Sequence, residues 1–112
     1  NQDLLGLFQT ELKRYFQMGM HLEQGSPSIA YFAEKAHLSQ HYFSDLLKKE
    51  SGRAAKDHIN DFIIEKAKNL LIQDKASISE IAYGLGFNYP HYFTRLFKAK
   101  TGYTPLAFRN LN

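Results

Sequence analysis

An internal repeat constrains the fold of this chain more than any other feature of its sequence. The segment from Ile29 to Gly52 recurs, with modification, from Ile78 to Gly102. The matching pairs begin with Ile29 and Ile78, Phe32 and Ile81, Ala33 and Ala82, Ala36 and Leu85, and Leu38 and Phe87. The offset of 49 residues then becomes 50, because the turn of the second copy has one extra residue. Two units with one structural plan are therefore expected.

Each copy has the pattern of a helix, a turn of a few residues and a second helix. Apolar residues recur at spacings of three and four, and Ser28 and Ser39 stand where N-caps are expected. A small alanine lies where the two helices of a unit cross most closely. This arrangement is typical of a helix-turn-helix unit, although a duplicated helical bundle without DNA contacts produces the same repeat.

The rest of the chain also has helical periodicity, and no segment alternates at a period of two. An amphipathic helix is predicted from Asp3 to about Met20, and a longer one from about Ala54 to Gln73. Ser77 and Glu80 have the spacing of a capping box, and Thr104 and Pro105 begin a last short helix. Asn88 is predicted to cap the helix that contains Pro90 in its first turn. The predicted fold is all-α. It is divided into the N-terminal helix with the first unit (residues 1–53), a linker helix (residues 54–74) and the second unit (residues 75–112).

The length of the segment between the units favours DNA as a partner. About twenty helical residues span roughly 30 Å, and successive major-groove openings on one face of B-DNA lie about 34 Å apart. A linker helix of this length could hold two groove-binding helices one turn of DNA apart.

Composition sets wider limits. The net charge of +3 and the pI near 9.1 permit a polyanionic partner. The absence of cysteine excludes disulfides and thiolate metal sites, and no apolar run is long enough to span a membrane. A cytoplasmic protein without cofactor or metal is expected. The start at Asn1, without Met, suggests a piece of a longer protein.

The chain resembles the AraC/XylS-type transcriptional regulators from about Ser28 to Arg109. The stretch from Ile78 to Asn88 is the most specific part of the match, and two further stretches follow it at residues 92–98 and 101–105. The resemblance implies about seven helices in two helix-turn-helix subdomains joined by a long linker helix. It also implies double-stranded DNA as partner, with the second helix of each unit in a major groove. A separate N-terminal sensor or dimerisation domain is expected, and RNA polymerase is a further possible partner.

The exposed faces of the second helices supply the candidate DNA-binding residues. In the first unit the candidates are Gln40, His41, Ser44, Asp45, Lys48 and Lys49. In the second unit they are Asn88, Tyr89, His91, Thr94, Arg95 and Lys98. Arg95 is the best candidate for a base contact, because arginine pairs bidentately with guanine. Lys48, Lys49, Lys98 and Lys100 are candidates for phosphate contacts, with ordinary solvated charges as the alternative.

Two residues of the first unit depart from the family pattern. Asp45 occupies the position of Arg95, and its carboxylate would repel phosphates. It either pairs with a neighbouring lysine, which is the preferred interpretation, or accepts from a cytosine amine. His37 replaces the turn glycine, and its turn geometry is left open. The first unit is therefore expected to bind DNA less strongly, and whether it contacts bases is open.

Two other classes of function compete with DNA binding. Catalysis is disfavoured because the chain has no nucleophile, phosphate-loop or metal motif. Asp57 and His58, beside Asp61, could suggest metal ligands, but adjacent residues diverge on a helix. The stronger alternative is a helical protein-interaction module without direct DNA contacts. Four tyrosines expected at the surface could anchor a protein partner. They are Tyr31, Tyr83, Tyr89 and Tyr103.

Overall fold

The computed structural model describes residues 3–111 and has eight helices and no β-strand in that range. The helices are α1 (Leu4–Gln17), α2 (Met20–Gln24), α3 (Ile29–Lys35), α4 (Gln40–Ser51), α5 (Ala55–Gln73), α6 (Ile78–Gly84), α7 (Pro90–Thr101) and α8 (Pro105–Leu111). The predicted all-α fold is confirmed, and the short helix α2 adds one to the number expected. Residues 1, 2 and 112, at the ends of the first and last predicted divisions, lie outside the described residues.

The first predicted helix is divided in two. α1 begins after Asp3, whose carboxylate accepts a hydrogen bond from the Gly6 N–H at 2.7 Å. The predicted end near Met20 is wrong, because Gly19 has a φ of 76° and a left-handed residue ends a helix. The chain restarts as α2 immediately after this glycine.

α1 packs on the first helix-turn-helix unit, which consists of α3 and α4. The Phe8 ring lies edge-on to Phe32 at 4.9 Å between centroids and to Phe43 at 5.8 Å. At the beginning of α1, the Leu5 N–H donates to Glu50 Oε1 at 3.1 Å. These contacts fix α1 directly against α4.

The second unit, α6 and α7, repeats the first in its turn geometry. Ala33 and Ala82 are both buried, and their carbonyls accept hydrogen bonds from Leu38 N–H at 2.9 Å and Phe87 N–H at 3.0 Å. The turn geometry left open by the sequence is thereby answered, because both turns donate the same hydrogen bond back to the first helix of their unit.

A hydroxyl group closes the end of each second helix in the same way. Ser51 Oγ donates to the Leu47 carbonyl at 2.8 Å and accepts from Arg53 N–H at 3.2 Å. Thr101 Oγ1 donates to the Phe97 carbonyl at 2.8 Å and accepts from a backbone N–H two residues on, at 3.1 Å. We call this arrangement the hydroxyl closure of α4 and of α7.

The two second helices begin differently. Ser39 caps α4 as predicted, with its hydroxyl accepting from Tyr42 N–H at 3.1 Å. The prediction that Asn88 caps α7 is wrong, since Tyr89 is the N-cap residue and no side chain makes a capping bond there. The extra residue in this turn displaces Asn88 from the cap, and Pro90 at the first helical position has no N–H that needs a partner.

The linking helix α5 runs through the middle of the fold. Its 19 residues correspond to about 28 Å. Its buried side chains include Ile59, Ile63, Ile64, Ala67 and Leu71. α4 packs against α5, as do α6, α7 and α8, so that one hydrophobic core runs through both units. Arg109 of α8 closes the far end of α5 by donating to the carbonyls of Leu71 at 3.0 Å and Asp74 at 2.9 Å.

Candidate nucleic-acid interface

α4 and α7 bury and expose equivalent positions. Phe43 and Leu47 of α4 are at most 1% exposed, as are Phe93 and Phe97 of α7. The opposite side of α4 presents Gln40, His41, Asp45, Lys48 and Lys49, with Ser44 half-buried. In the second unit the exposed residues are Asn88, Tyr89, His91, Arg95 and Lys98, with Thr94 half-buried. Each predicted site residue therefore lies on one of two matched polar helix faces or directly before one.

A histidine and a carboxylate pair on the surface of α4. His41 Nε2 lies 3.3 Å from Asp45 Oδ2, four residues along the helix, and both side chains are largely exposed. The preferred interpretation, in which Asp45 pairs with a lysine, is wrong, because the carboxylate turns toward the preceding turn of the helix. The two side chains form a charged pair when the histidine is protonated.

The equivalent surface of α7 is aromatic and cationic. The guanidinium carbon of Arg95 lies 5.8 Å from the centre of the Tyr92 ring, a cation–π distance. The Tyr92 ring also lies 4.2 Å from His91 and 5.8 Å from Tyr89, and both tyrosines are at least half exposed. The guanidinium of Arg95 therefore lies over the Tyr92 ring at the helix surface.

Sequence reasoning missed Tyr92 as a component of this surface. A signal was present, because Tyr89, Tyr92 and Arg95 are spaced three apart and therefore share one side of a helix. The residue was assigned only to the family motif, in which its position is equivalent to Tyr42 of α4.

The lysines divide into two groups. Lys48, Lys49 and Lys98 are exposed and form no ion pair with a carboxylate in the described part of the chain. Lys100 Nζ lies 3.6 Å from Asp57 Oδ1 and 3.4 Å from Asp61 Oδ1. The structure therefore places Lys100 against α5 and away from the other candidates for phosphate contacts.

Asp61 of α5 joins the ends of both second helices. Arg53, which follows α4, donates a hydrogen bond to the Asp61 carboxylate, and Lys100 in the last turn of α7 lies beside the same group. The hydrogen bond from Arg53, assisted by the charge of Lys100, lowers the pKa of the Asp61 carboxyl below its ordinary value. The C-terminal ends of α4 and α7 are thus fixed to one point on α5.

The tyrosines that could anchor a protein partner differ in their exposure. Tyr83 and Tyr103 are exposed as expected. Tyr31 is half-buried, with its ring 5.1 Å from Tyr15 and 5.2 Å from Phe32. Its expected exposure is wrong because α3 turns this side chain toward α1.

The described residues do not supply a metal cluster or a membrane-spanning helix. Within residues 3–111, no three histidine or acidic side chains lie close enough together to hold a metal ion. In the same range, no helix combines the length and the apolar character needed to cross a membrane. Asp57, considered above as a metal ligand, instead contacts Lys100.

Comparison with known proteins agrees with the duplicated architecture. The model of a family described as "Helix-turn-helix domain" matches residues 32–111, which include most of α3 and all of the helices from α4 to α8. The HTH-type transcriptional regulator YobQ of Bacillus subtilis is 32% identical over 83 residues, which are 74% of this chain. The chain spans 34% of the length of that regulator.

Two solved structures have the same fold. One is the C-terminal domain of the response regulator yesN from Fusobacterium nucleatum, at 29% identity and a TM-score of 0.77, covering 90% of this chain and 96% of that one. The other is the DNA-binding domain of AdpA, solved in complex with a target DNA. It has 20% identity and a TM-score of 0.80, and the match covers 99% of this chain and 93% of that domain.

Proposed function

This chain belongs to the AraC-type helix-turn-helix family, and we propose that it is the sequence-specific DNA-binding domain of a bacterial transcription regulator. α4 and α7 are its recognition helices, and they enter successive major-groove segments of one duplex. The observation that carries the proposal is the matched exposure of α4 and α7 over equivalent buried positions. The length of α5, about 28 Å, approaches one turn of B-DNA, about 34 Å. The AdpA domain, which was solved with DNA, shares this fold.

The second unit supplies the stronger base contact. Arg95 pairs with the O6 and N7 atoms of a guanine, a contact that discriminates against other bases by about 1–3 kcal/mol. Tyr92 supports this role by holding the guanidinium near the helix before binding. Thr94 and the exposed groups at the start of the helix complete the contact surface. Those groups are Asn88, Tyr89 and His91.

The first unit contributes mainly to affinity. Lys48 and Lys49, like Lys98 in the second unit, contact phosphates and set the register of the protein on DNA. Gln40 and Ser44 face the groove, while the pair of His41 and Asp45 lies beside them on the helix surface. The carboxylate of this pair weakens the attraction of α4 for phosphates, so the first unit binds less strongly than the second.

The chain acts without catalysis or a cofactor, as a cytoplasmic DNA-binding module. Residues 1–53 are the N-terminal helix and the first helix-turn-helix subdomain, residues 54–74 are the linker helix, and residues 75–112 are the second subdomain. Its partners are double-stranded DNA, an N-terminal sensor or dimerisation domain, and RNA polymerase. The fraction of the regulator YobQ that the chain spans, 34%, is compatible with such an additional domain. Tyr83 and Tyr103 leave exposed aromatic surface that is available to a protein partner.

Selection of bound duplexes from a random pool tests the assigned roles. We expect Arg95→Ala to lose preference at one base pair, because it removes a base contact. Lys98→Ala is the matched control on the same helix, and it should weaken all sequences uniformly and reduce the dependence on salt. If the wild-type chain enriches no sequence, specific DNA binding is contradicted.

A salt titration separates DNA binding from the protein-interaction alternative. Binding through several phosphate contacts should weaken steeply as salt is raised, because condensed counterions are released from DNA. An apolar protein interface lacks this dependence. An affinity for the selected duplex that stays constant between low and moderate salt would favour the protein-interaction module.

A further inference from the structure

A contact outside α5 also connects the two units. The short helix α2 lies against the turn between α6 and α7, where His21 Nε2 is 3.1 Å from the Gly84 carbonyl. The fit of the backbones is closer still, since a Cβ atom placed on Gly86 would lie 2.7 Å from the His21 carbonyl oxygen. Any side chain at position 86 would therefore push α2 and the turn apart.

The ring of His21 is partly buried between α1 and the end of α6. It stacks on Phe16 of α1 at 4.6 Å between centroids, with 29° between the ring planes. The carbonyl of Gly84 only accepts hydrogen bonds, so Nε2 must carry the proton. Nδ1 is buried and has no hydrogen-bond partner among the described residues. The ring fits this contact in its neutral form.

The first unit provides a comparison that identifies why position 86 is glycine. His37 occupies the equivalent turn position with a φ of 59°, and Gly86 has a φ of 100°. Asparagine and histidine tolerate left-handed backbone better than most residues, so a side chain is compatible with this type of turn. His37 is exposed, whereas Gly86 lies against α2. The contact with His21 is thus a separate reason for glycine in the second turn.

We propose that the contact of His21 and Gly86 is a second brace, beside α5, which fixes the orientation of α7 relative to α4 and thereby the half-site spacing that the chain accepts. The brace runs from α4 to α1 through the packing of Phe43 on Phe8, and from α1 to α2 across Gly19. α7 begins four residues after Gly86. This inference rests on the proposed binding of both recognition helices to one duplex.

Two connections restrain the units in a way that one cannot. Rotation about a single helix between two bodies is opposed only by contacts close to that helix, which here are side-chain packing and the ion pairs of Arg53 and Lys100 with Asp61. A second contact away from the helix axis closes a ring of packed elements and opposes the rotation. Since half-sites on B-DNA rotate by about 34–36° per added base pair, restrained recognition helices should discriminate between neighbouring spacings.

The test uses duplexes that carry both selected half-sites at the natural spacing, one base pair shorter and one base pair longer. Wild type should prefer the natural spacing by about tenfold or more. Gly86→Asn collides with the His21 carbonyl and also strains the turn, since φ at this position is 100°, and its preference should fall to about two- to threefold. His37→Asn is the matched substitution in the first turn and should keep the wild-type preference.

A second variant and a second measurement distinguish positioning from loss of fold. His21→Ala removes the ring without placing new atoms in the turn and should also relax the spacing preference. His21→Gln retains an N–H donor and should restore most of it. Affinity for a duplex with only the half-site bound by α7 should stay within about twofold of wild type in every variant, since an unfolded unit would lose this affinity as well.

Each remaining result contradicts one specific claim. If Gly86→Asn and His21→Ala both keep the wild-type spacing preference, or if wild type binds all three spacings equally, the brace is wrong while DNA binding stands. If wild type binds none of the duplexes that carry both half-sites, the proposed function itself fails.

Discussion

The first and second helix-turn-helix units share their interior and differ on their surfaces. Phe43 and Phe93 lie at equivalent buried positions, and the hydroxyl closures of α4 and α7 match bond for bond. At the surface, Asp45 stands where the second unit has Arg95, and His37 stands where it has Gly86. The difference teaches that the duplicated core fixes the backbone of the unit, while its exposed positions are free to diverge in chemistry.

The units also differ in what supports them. The first is covered by α1, and the second is held by α8 and by the contact of α2 with its turn. Each unit therefore depends on packing from elements outside the repeat. The equivalence of their interiors and the difference in their surfaces can be tested separately.

Removal of an equivalent core ring should have the largest effect. Phe43→Ala and Phe93→Ala each remove a fully buried aromatic side chain, and each should lower the free energy of unfolding by about 3–5 kcal/mol. Chemical denaturation measures both. Costs that differ by more than about 2 kcal/mol would contradict equivalent packing in the two units. Tyr83→Ala, at an exposed position, is the control.

Removal of the side chain at the start of each recognition helix should have a smaller effect on stability, and the effect should differ between the units. Ser39→Ala removes the hydroxyl that caps α4 and should cost about 0.5–2 kcal/mol of stability. Asn88→Ala should cost almost nothing, because no side chain caps α7. The same denaturation experiment applies. A cost for Asn88→Ala equal to that for Ser39→Ala would show that the start of α7 is held differently.

The charge difference between the recognition helices should have a modest effect on DNA affinity. Asp45→Asn removes a negative charge from α4 and should raise affinity by about two- to fivefold at low salt, with a smaller gain as salt increases. Glu65→Gln makes the same change of charge on α5 and is the control. Unchanged or lower affinity for Asp45→Asn would indicate that the carboxylate accepts a hydrogen bond from a base.

The smallest expected effect is on the pH dependence of stability, through the imidazole of His21. Burial lowers the pKa of the His21 imidazole, the charge of Lys66 on α5 adds to this, and the hydrogen bond to Gly84 opposes it. The unfolded chain therefore binds the proton more readily, and stability present above the ordinary value of 6.5 is lost as pH falls from that value toward the lowered one. Glu23 on α2 is the nearest acidic residue along the chain.

Denaturation midpoints at about pH 7.5 and pH 5.5 bracket the ordinary histidine value and stay above the range in which carboxyl groups titrate. His21→Gln removes the titrating ring and should reduce the difference between the two midpoints. Asp61, whose pKa is also lowered, contributes only below its ordinary value of 3.8. An unchanged difference in the His21→Gln variant would contradict a buried neutral ring at this position.

Periodicity and repetition were sufficient to predict most of the fold. The apolar spacing placed α5 within one residue of its observed start, and the serines at positions 28, 39 and 77 were found at the helix starts they predicted. These signals are local, because caps and amphipathic faces depend on residues within a few positions of one another. The same locality identified the exposed positions of α4 and α7.

Contacts between distant segments could not be predicted in this way. The turn of Lys100 toward α5 and the fit of Gly86 against His21 depend on how packed helices approach one another. The break at Gly19 was missed because apolar residues continue on both sides of it. The pairing of Asp45 with His41 was also missed, since histidine and lysine both lie within one turn of the carboxylate and sequence does not fix the rotamer.

The hydroxyl closures bear on how such a chain could be re-engineered. Each ends its recognition helix with hydrogen bonds to the preceding turn and to the residue two positions on, and at α4 the Ser51 hydroxyl also lies 2.9 Å from His58 Nε2 of α5. Because the exposed residues of α7 take no part in these bonds, we expect that they can be transplanted onto α4 without changing the length of the helix. A chimaera with two copies of one specificity, directed at a tandem DNA target, becomes a practical design within 112 residues.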